Sequence, residues 1–199
     1  MKLDRKLNLV IPIERDDGTT LNVYAQPLSK DVFEKYALVM AKTFTRIYAE
    51  KIAYMGGPRV ALMLLKEVAE GTRRMDGSTT WWEGPDGVEA GLLGEMWRTT
   101  TVLAPADGGG WEQIMYEVAL KRDLLTEDDR SEVEGAITFF TVLSAMHRRE
   151  ERLVMLQAAA GMWRWQITSS TLPEFRNSLP TSTPGAGTGT KATASPIVA

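Results

Sequence analysis

The chain has 199 residues, 44% of them apolar and 25% charged, which suits one domain with a substantial core. Its net charge of −3 gives no sign of the basic surface that nucleic acids or anionic membranes require, so we expect neither as a partner. The absence of cysteine excludes disulfides, thiolate metal sites and cysteine nucleophiles, and it fits a reducing cytoplasm. Neither a signal-peptide pattern nor an uncharged run of roughly 20 residues is present, so a soluble protein is expected.

Residues 1–28 predict a β-hairpin that packs on the rest of the protein. Apolar side chains alternate along the first strand at Leu7, Leu9, Ile11 and Ile13, and the Asp-Gly pair at 17–18 is a strong turn signal before a second strand over 19–25. Because proline has no backbone N–H, Pro12 predicts either an edge strand or the end of a strand.

Residues 29–178 predict a helical domain. Ser29 is expected to cap a helix whose apolar stripe runs from Phe33 to Tyr48. The segment over 60–65 is apolar on all sides, so its helix is expected deep in the core. A capping box at 171–174 begins a last short helix. The remaining apolar stripes predict helices over about 88–103, 111–121, 126–146 and 153–167, with loops over 75–87 and 105–110.

Residues 179–199 predict a flexible tail. From Pro180 to the end, 17 of 20 residues are Pro, Gly, Ser, Thr or Ala. Ordering such a segment costs about 1–2 kcal/mol per residue in backbone entropy. Only Ile197 and Val198 could offset that cost by burial, at about 2 kcal/mol each. The predicted fold class is therefore mainly α: a single helical domain with an N-terminal β-hairpin and a disordered C-terminal tail.

No residue pattern predicts an active site or a metal site. The single histidine, His147, lies near a helix end, which favours a structural residue that bonds the last carbonyl groups. The acidic residues Asp123 and 127–129 lack the spacing of a calcium loop and suit a helix N-terminus. The glycine-rich run over 185–191 lacks the residue order of a phosphate loop. We therefore predict no catalytic residue, no cofactor, no metal and no enzyme activity.

The tryptophans are more informative, because six are many for this length. Trp97, Trp163 and Trp165 lie in apolar stripes and are expected in or beside the core. Trp81 and Trp82 lie in a turn-rich loop, where an exposed indole is costly unless it contacts something, and tryptophan is enriched at binding hot spots. Two interpretations stay open for this pair: a partner-binding site, or a lid that folds back onto the domain.

Four stretches of the sequence resemble the tail assembly chaperones of long-tailed bacteriophages. None of them is a catalytic signature, so the resemblance is one of overall pattern, although it spans most of the chain. The loops that hold Trp81, Trp82 and the three glycines at 108–110 have no family pattern for comparison, so no binding residue is implied there. The four stretches are residues 7–12 with 26–33, residues 47–48 with 57–61, residues 131–147, and residues 174–183.

The resemblance implies a specific function. Such chaperones coat the tape-measure protein during tail assembly, keep it soluble, help to recruit the tail-tube protein, and leave before the virion is complete. Many also have a longer form made by a −1 ribosomal frameshift. The resemblance thus implies the host bacterial cytoplasm and absence from the mature virion, and it leaves self-association open. The ten methionines fit adaptable contact surfaces, although core filling accounts for most of them.

Two alternatives belong to other classes of protein. One is a structural phage tail or connector protein that is retained in the virion, where a chaperone would be absent. The other is a small-molecule-binding or catalytic helical domain, whose thermal stability would respond to nucleotides, metals or common cofactors.

Overall fold

The protein mixes helices with an antiparallel sheet, so the predicted mainly helical class is wrong. A computed structural model describes residues 7–49, 58–77, 79–147 and 149–181. Helices hold 55% of these residues and β-structure holds 18%. In chain order the described elements are β1 Asn8–Glu14, β2 Thr20–Ala25, α1 Lys30–Ala49, α2 Arg59–Gly71, a π-helical segment Val88–Leu93 that continues into α3 Gly94–Arg98, β3 Thr100–Pro105, β4 Trp111–Met115, α4 Tyr116–Lys121, α5 Glu127–Met146, α6 Arg149–Met162, β5 Gln166–Thr168 and α7 Leu172–Ser178.

The predicted N-terminal hairpin is confirmed, but it forms the centre of a larger sheet. β1 and β2 pair antiparallel, with Leu9 opposite Ala25 and Glu14 opposite Thr20. In the turn between them Gly18 has a φ of 79°, a conformation that side chains rarely adopt. The strand order is β4-β3-β2-β1-β5, and every neighbouring pair is antiparallel.

Pro12 lies in the middle of β1, neither in an edge strand nor at a strand end as predicted. In an antiparallel pair the residues bond alternately to one neighbour and to the other. The N–H of Arg15 donates to the carbonyl of Thr19, so the odd-numbered residues of β1 bond to β2 and the nitrogen of Pro12 faces the opposite side. On that side β5 pairs only with Asn8 to Val10. The missing N–H therefore costs no ladder hydrogen bond.

A second hairpin, β3 with β4, replaces parts of two predicted helices. The helix predicted over 88–103 ends at Arg98, and the helix predicted over 111–121 begins only at Tyr116. Residues 99–102 are three threonines and a valine, whose β-branched side chains favour strands. The glycines that follow supply the turn, because Gly109 and Gly110 have φ values of 79° and 105°.

The helices cover one face of the sheet, and α5 is the central helix because every residue from 133 to 144 is buried. It packs with α1 and α2 over the inward side chains of β1, β2 and β3. The prediction that α2 is buried on all sides is wrong: Leu64 and Leu65 are buried, but Met63 is 69% exposed, so α2 is amphipathic. None of the described helices is long and apolar enough to cross a membrane.

Two helix starts agree with their predicted caps, and a third helix begins at Thr126 as predicted. The hydroxyl of Ser29 accepts from the N–H of Val32 at 3.4 Å at the start of α1. Thr126 begins α5 in a capping box with Asp129. The predicted capping box at 171–174 is confirmed at the start of α7. Each box satisfies backbone N–H groups that have no partner within their own helix.

α7 covers part of the opposite face of the sheet. Phe175 packs against Val10, Tyr24 and Leu103 in a small second apolar cluster. The hydroxyl of Tyr24 donates to the carbonyl of Ser170 at 2.8 Å, just before α7. After α7, the indole N–H of Trp111 donates to the carbonyl of Pro180 at 2.9 Å. The first residues of the predicted tail are thus held against the sheet, and the predicted flexibility from 182 onward lies outside the described residues.

The buried hydroxyl of Tyr24 makes the stability of the fold sensitive to alkaline pH. Burial, and to a smaller extent the charge of Glu174, raise the pKa of Tyr24 from 10.0 to about 12. The unfolded chain therefore loses this proton first, and the stabilisation is complete below pH 10 and lost between about pH 10 and 12.

Tyr24→Phe is expected to lower the free energy of unfolding by about 1 kcal/mol at neutral pH, because it removes one buried hydrogen bond. Above pH 10 the variant should lose stability less steeply than the parent protein, since it has no hydroxyl to titrate at this position. Urea denaturation across pH 7–12 measures both effects. Parallel declines in the two proteins would contradict the assignment to Tyr24.

Candidate protein-binding groove

An apolar groove lies where the C-terminal end of α1 meets α5 and α6. Its volume is about 70 Å³. Pockets for small molecules measure roughly 300–1,000 Å³, so this groove suits one or two apolar side chains rather than a cofactor. The groove is lined by Ile47, Tyr48, Phe139, Leu143, Met155, Ala158, Ala159, Met162 and Trp163.

The sequence of α6 explains why a groove is left open. Leu156, Ala159 and Ala160 are buried and, at spacings of three and four residues, form the face that packs towards α5. Ala158 and Ala159 also line the groove, and their small side chains leave its floor unfilled. Met155 and Met162 stand at its sides, where their flexible thioether chains can change shape around an inserted group.

The groove opens onto an exposed apolar stripe on α6. Val154, Ala158 and Met162 are spaced four residues apart and therefore share one face of the helix. Val154 is 66% exposed and Met162 is 53% exposed, and Tyr48 is exposed at the rim. Scattered apolar side chains on a surface are ordinary. A stripe beside an unfilled groove, however, is the arrangement that receives the apolar face of a partner helix.

His147 lies at the junction between α5 and α6, close to this rim. Its ring meets the rings of Phe44 and Tyr48 edge-on, with centroid distances of 5.3 and 6.5 Å. Its Nε2 is buried and has no hydrogen-bond partner among the residues that the structure describes. Nε2 therefore does not bond a helix carbonyl as predicted, and the imidazole packs instead with aromatic rings. The extended backbone of His147, with ψ at 146°, separates α5 from α6.

The predicted pair Trp81 and Trp82 lies in the loop between α2 and the π-helical segment. Both side chains are half-buried against the main core. The ring of Trp81 meets Tyr36 edge-on at 6.4 Å, and the guanidinium of Arg74 lies 5.3 Å from its centre. The ammonium of Lys66 lies 5.3 Å from the centre of the Trp82 ring. This geometry favours the lid interpretation, and a role in partner binding stays a prediction.

A pair of variants separates the two interpretations of the tryptophans. Trp81→Ala is expected to lower the free energy of unfolding by about 2–3 kcal/mol, because it removes packing and leaves a cavity. Trp82→Ala should cost about 1 kcal/mol, because its ring contacts the exposed ammonium of Lys66 on one side. A binding hot spot would behave in the opposite way, with unchanged urea denaturation and an affinity loss of about 2 kcal/mol or more, roughly thirtyfold.

The other three tryptophans that the sequence singles out, and the acidic residue Asp129, have structural roles. Trp97 packs on Tyr116 with ring centres 5.4 Å apart, and Trp163 and Trp165 pack on each other at 5.1 Å, which confirms that all three tryptophans lie in or beside the core. Asp129 caps α5 and binds Arg15 at 2.7 Å. Across the four described ranges, no group of three or more His, Asp or Glu side chains is placed to hold a metal ion.

A larger, open groove of about 620 Å³ lies between α1 and α2. Arg46 forms an ion pair with Glu67 at 2.8 Å, and the ammonium of Lys42 donates to the hydroxyl of Thr72 at 3.3 Å. Both contacts join α1 to α2. The charged side chains that line this groove therefore hold α1 and α2 together.

Sequence reasoning missed the residues of the apolar groove. The stripe predicted in this region consists of Leu153, Leu156, Ala160, Trp163 and Ile167, of which Leu156 and Ala160 are buried and Leu153 is 39% exposed. A second stripe was visible at Val154, Ala158 and Met162, on the other side of the same helix. Apolar residues on both sides of one short helix would have indicated a second contact surface.

No protein-family model, curated protein sequence or solved structure matches the chain.

Proposed function

We propose that this protein is a phage tail assembly chaperone that binds the tape-measure protein in the host cytoplasm and keeps it in solution during tail assembly. The proposal includes help in recruiting the tail-tube protein, to which we assign no residue. One observation supports it beyond the resemblance: the methionine-lined groove that continues into an exposed apolar stripe on α6. Such a surface binds protein and needs no catalytic group.

The groove and the stripe suit a long amphipathic helix. A helix presents apolar side chains every three or four residues along one face. One such side chain would enter the groove of about 70 Å³ between Met155 and Met162, and its neighbours would cover Val154. Burial of one leucine-sized side chain contributes about 2 kcal/mol. The flexible methionines can repack around different side chains, which a client with a varied sequence requires.

A single contact of this size is weak, so the proposal requires several copies of the chaperone on each client. A tape-measure protein with repeated apolar stripes offers many equivalent places to bind. Neighbouring copies that also touch each other would gain from effective concentration. Because each bound copy covers apolar surface that would otherwise aggregate, the client stays in solution.

Co-expression with the candidate tape-measure protein tests the proposal. We expect the client to move from the insoluble to the soluble fraction and to co-purify with more than one copy of this chain. Purified virions should lack the protein. A client that stays insoluble, with this chain at fixed stoichiometry in finished particles, would overturn the proposal in favour of a structural tail or connector subunit.

A further inference from the structure

The strand β4 forms one edge of the sheet. A hydrogen bond in the turn before it shows which residues of β4 bond to β3. The N–H of Ala106 donates to the carbonyl of Gly110 at 3.1 Å, immediately outside the pair of Pro105 and Trp111. Because hydrogen-bonded and non-bonded pairs alternate, Glu112 and Ile114 bond to β3. This assignment also agrees with Pro105, which has no N–H to donate and lies opposite Trp111 in a non-bonded pair.

The remaining backbone groups of β4 face outward. Trp111, Gln113 and Met115 are opposite β3 residues in non-bonded pairs, so the N–H groups of all three and the carbonyls of Trp111 and Gln113 point away from the sheet, whereas the carbonyl of Met115 lies at the N-cap of α4. Within the described part of the chain β4 pairs with β3 alone. The side chain of Gln113 is exposed and that of Met115 is 57% exposed, so no element among the described residues covers this part of the edge.

This edge also lacks the features that usually prevent strand pairing. Proteins protect edge strands with proline, with lysine or with a charge that points into the pairing surface. The three outward-facing residues of β4 carry an indole, an amide and a thioether, none of them charged. The one charged residue of the strand, Glu112, points to the opposite face and pairs with Arg122 at 2.9 Å.

We propose that two copies of this chain pair antiparallel through β4 and join their five-stranded sheets edge to edge. A two-fold axis at Gln113 places this residue opposite its own copy and Trp111 opposite Met115 of the second copy. In this register every outward-facing residue meets another outward-facing residue, so donors and acceptors match without a shift. Each methionine also contacts an indole, a favourable pairing of sulfur with an aromatic ring.

A second copy fits this edge better than an unrelated strand, because the complementarity comes from the symmetry of the strand itself. Its five residues are centred on Gln113, and no like charges lie directly opposite one another in the paired register. The contact is small beside the ~20–30 residues per side of stable interfaces, so we expect a dimer that dissociates on dilution in the micromolar range.

Charge swapping at the two-fold axis tests this dimer. Gln113→Lys and Gln113→Glu each place like charges directly opposite one another, so each variant should associate about tenfold or more weakly than the parent protein. An equimolar mixture of the two should recover association, because lysine then faces glutamate. Sedimentation equilibrium from low micromolar to near-millimolar concentration measures all three samples, and circular dichroism confirms that each variant is folded.

The opposite edge of the sheet provides a matched control. Gln166 is an exposed glutamine in the edge strand β5, and Gln166→Lys should leave association unchanged. A parent protein that stays monomeric at every concentration overturns the dimer. So does a mixture of the Gln113→Lys and Gln113→Glu variants that associates no better than either variant alone. These measurements contain no client, so their failure leaves the chaperone proposal standing.

Discussion

Under the proposed function, Met162→Glu is expected to abolish solubilisation of the tape-measure protein while leaving the variant folded. Met162 lines the groove and is 53% exposed, so a carboxylate can reach water in the free protein at little cost to stability. In the complex the same carboxylate would be buried against an apolar helix without a partner, at a cost of several kcal/mol. We therefore expect the affinity for a client segment to fall about a hundredfold or more.

The control for this experiment is the same substitution at another methionine. Met75 lies in the loop after α2 and is 95% exposed, so Met75→Glu adds the same charge outside the lining of the apolar groove. Co-expression should keep the client soluble with Met75→Glu and leave it in the pellet with Met162→Glu. Equal solubilisation by both variants would place the client site elsewhere on the protein.

Gly135→Ala is expected to destabilise the fold strongly. A Cβ atom at this position would lie 2.6 Å from the carbonyl oxygen of Pro58 and 2.7 Å from the Cα of Arg59. Both are backbone atoms at the start of α2, so no side-chain rotation relieves the overlap. Alanine gains about 1 kcal/mol over glycine in a helix interior. The overlap costs more, and we expect a net loss of about 2 kcal/mol and a Tm lower by about 5 °C or more.

The same substitution at Gly161 is expected to stabilise the fold. It lies in α6, and a Cβ atom there would meet nothing within 4 Å. Gly161→Ala should therefore raise the free energy of unfolding by up to about 1 kcal/mol through helix propensity and a more restricted unfolded chain. Thermal and urea denaturation of the two variants measure the contrast. A stabilising Gly135→Ala would show that α2 and α5 do not approach so closely.

The sequence by itself determined the features that depend on neighbouring residues. The turn at Gly18, the cap at Ser29 and the capping box at 171–174 each need only a few adjacent positions, and all three are present in the structure. The long buried run of α5 was predictable for the same reason, because its apolar side chains are dense enough for burial on every side. Local backbone chemistry favours one structure at these places.

The tertiary structure decided the extent of the sheet. The segment over 100–105 has leucine and alanine after its β-branched residues and shows no strict alternation, so periodicity did not separate a strand from the end of a helix. What makes it a strand is pairing with β2, where Leu103 lies opposite Asn22, far away in the sequence. Such pairing depends on the whole fold, and the local preference of the β-branched residues does not identify the partner strand.

The tertiary structure also decided the candidate binding site. The groove combines Tyr48 from α1, Leu143 from α5 and Met155 from α6, which are distant in sequence and meet only after the helices pack. The sequence showed that α6 is apolar on two sides, but it did not show which side the core would take. Packing buried the face with Leu156 and left Val154 and Met162 exposed, because a short helix can bury only one face against α5 and leaves the other in contact with solvent.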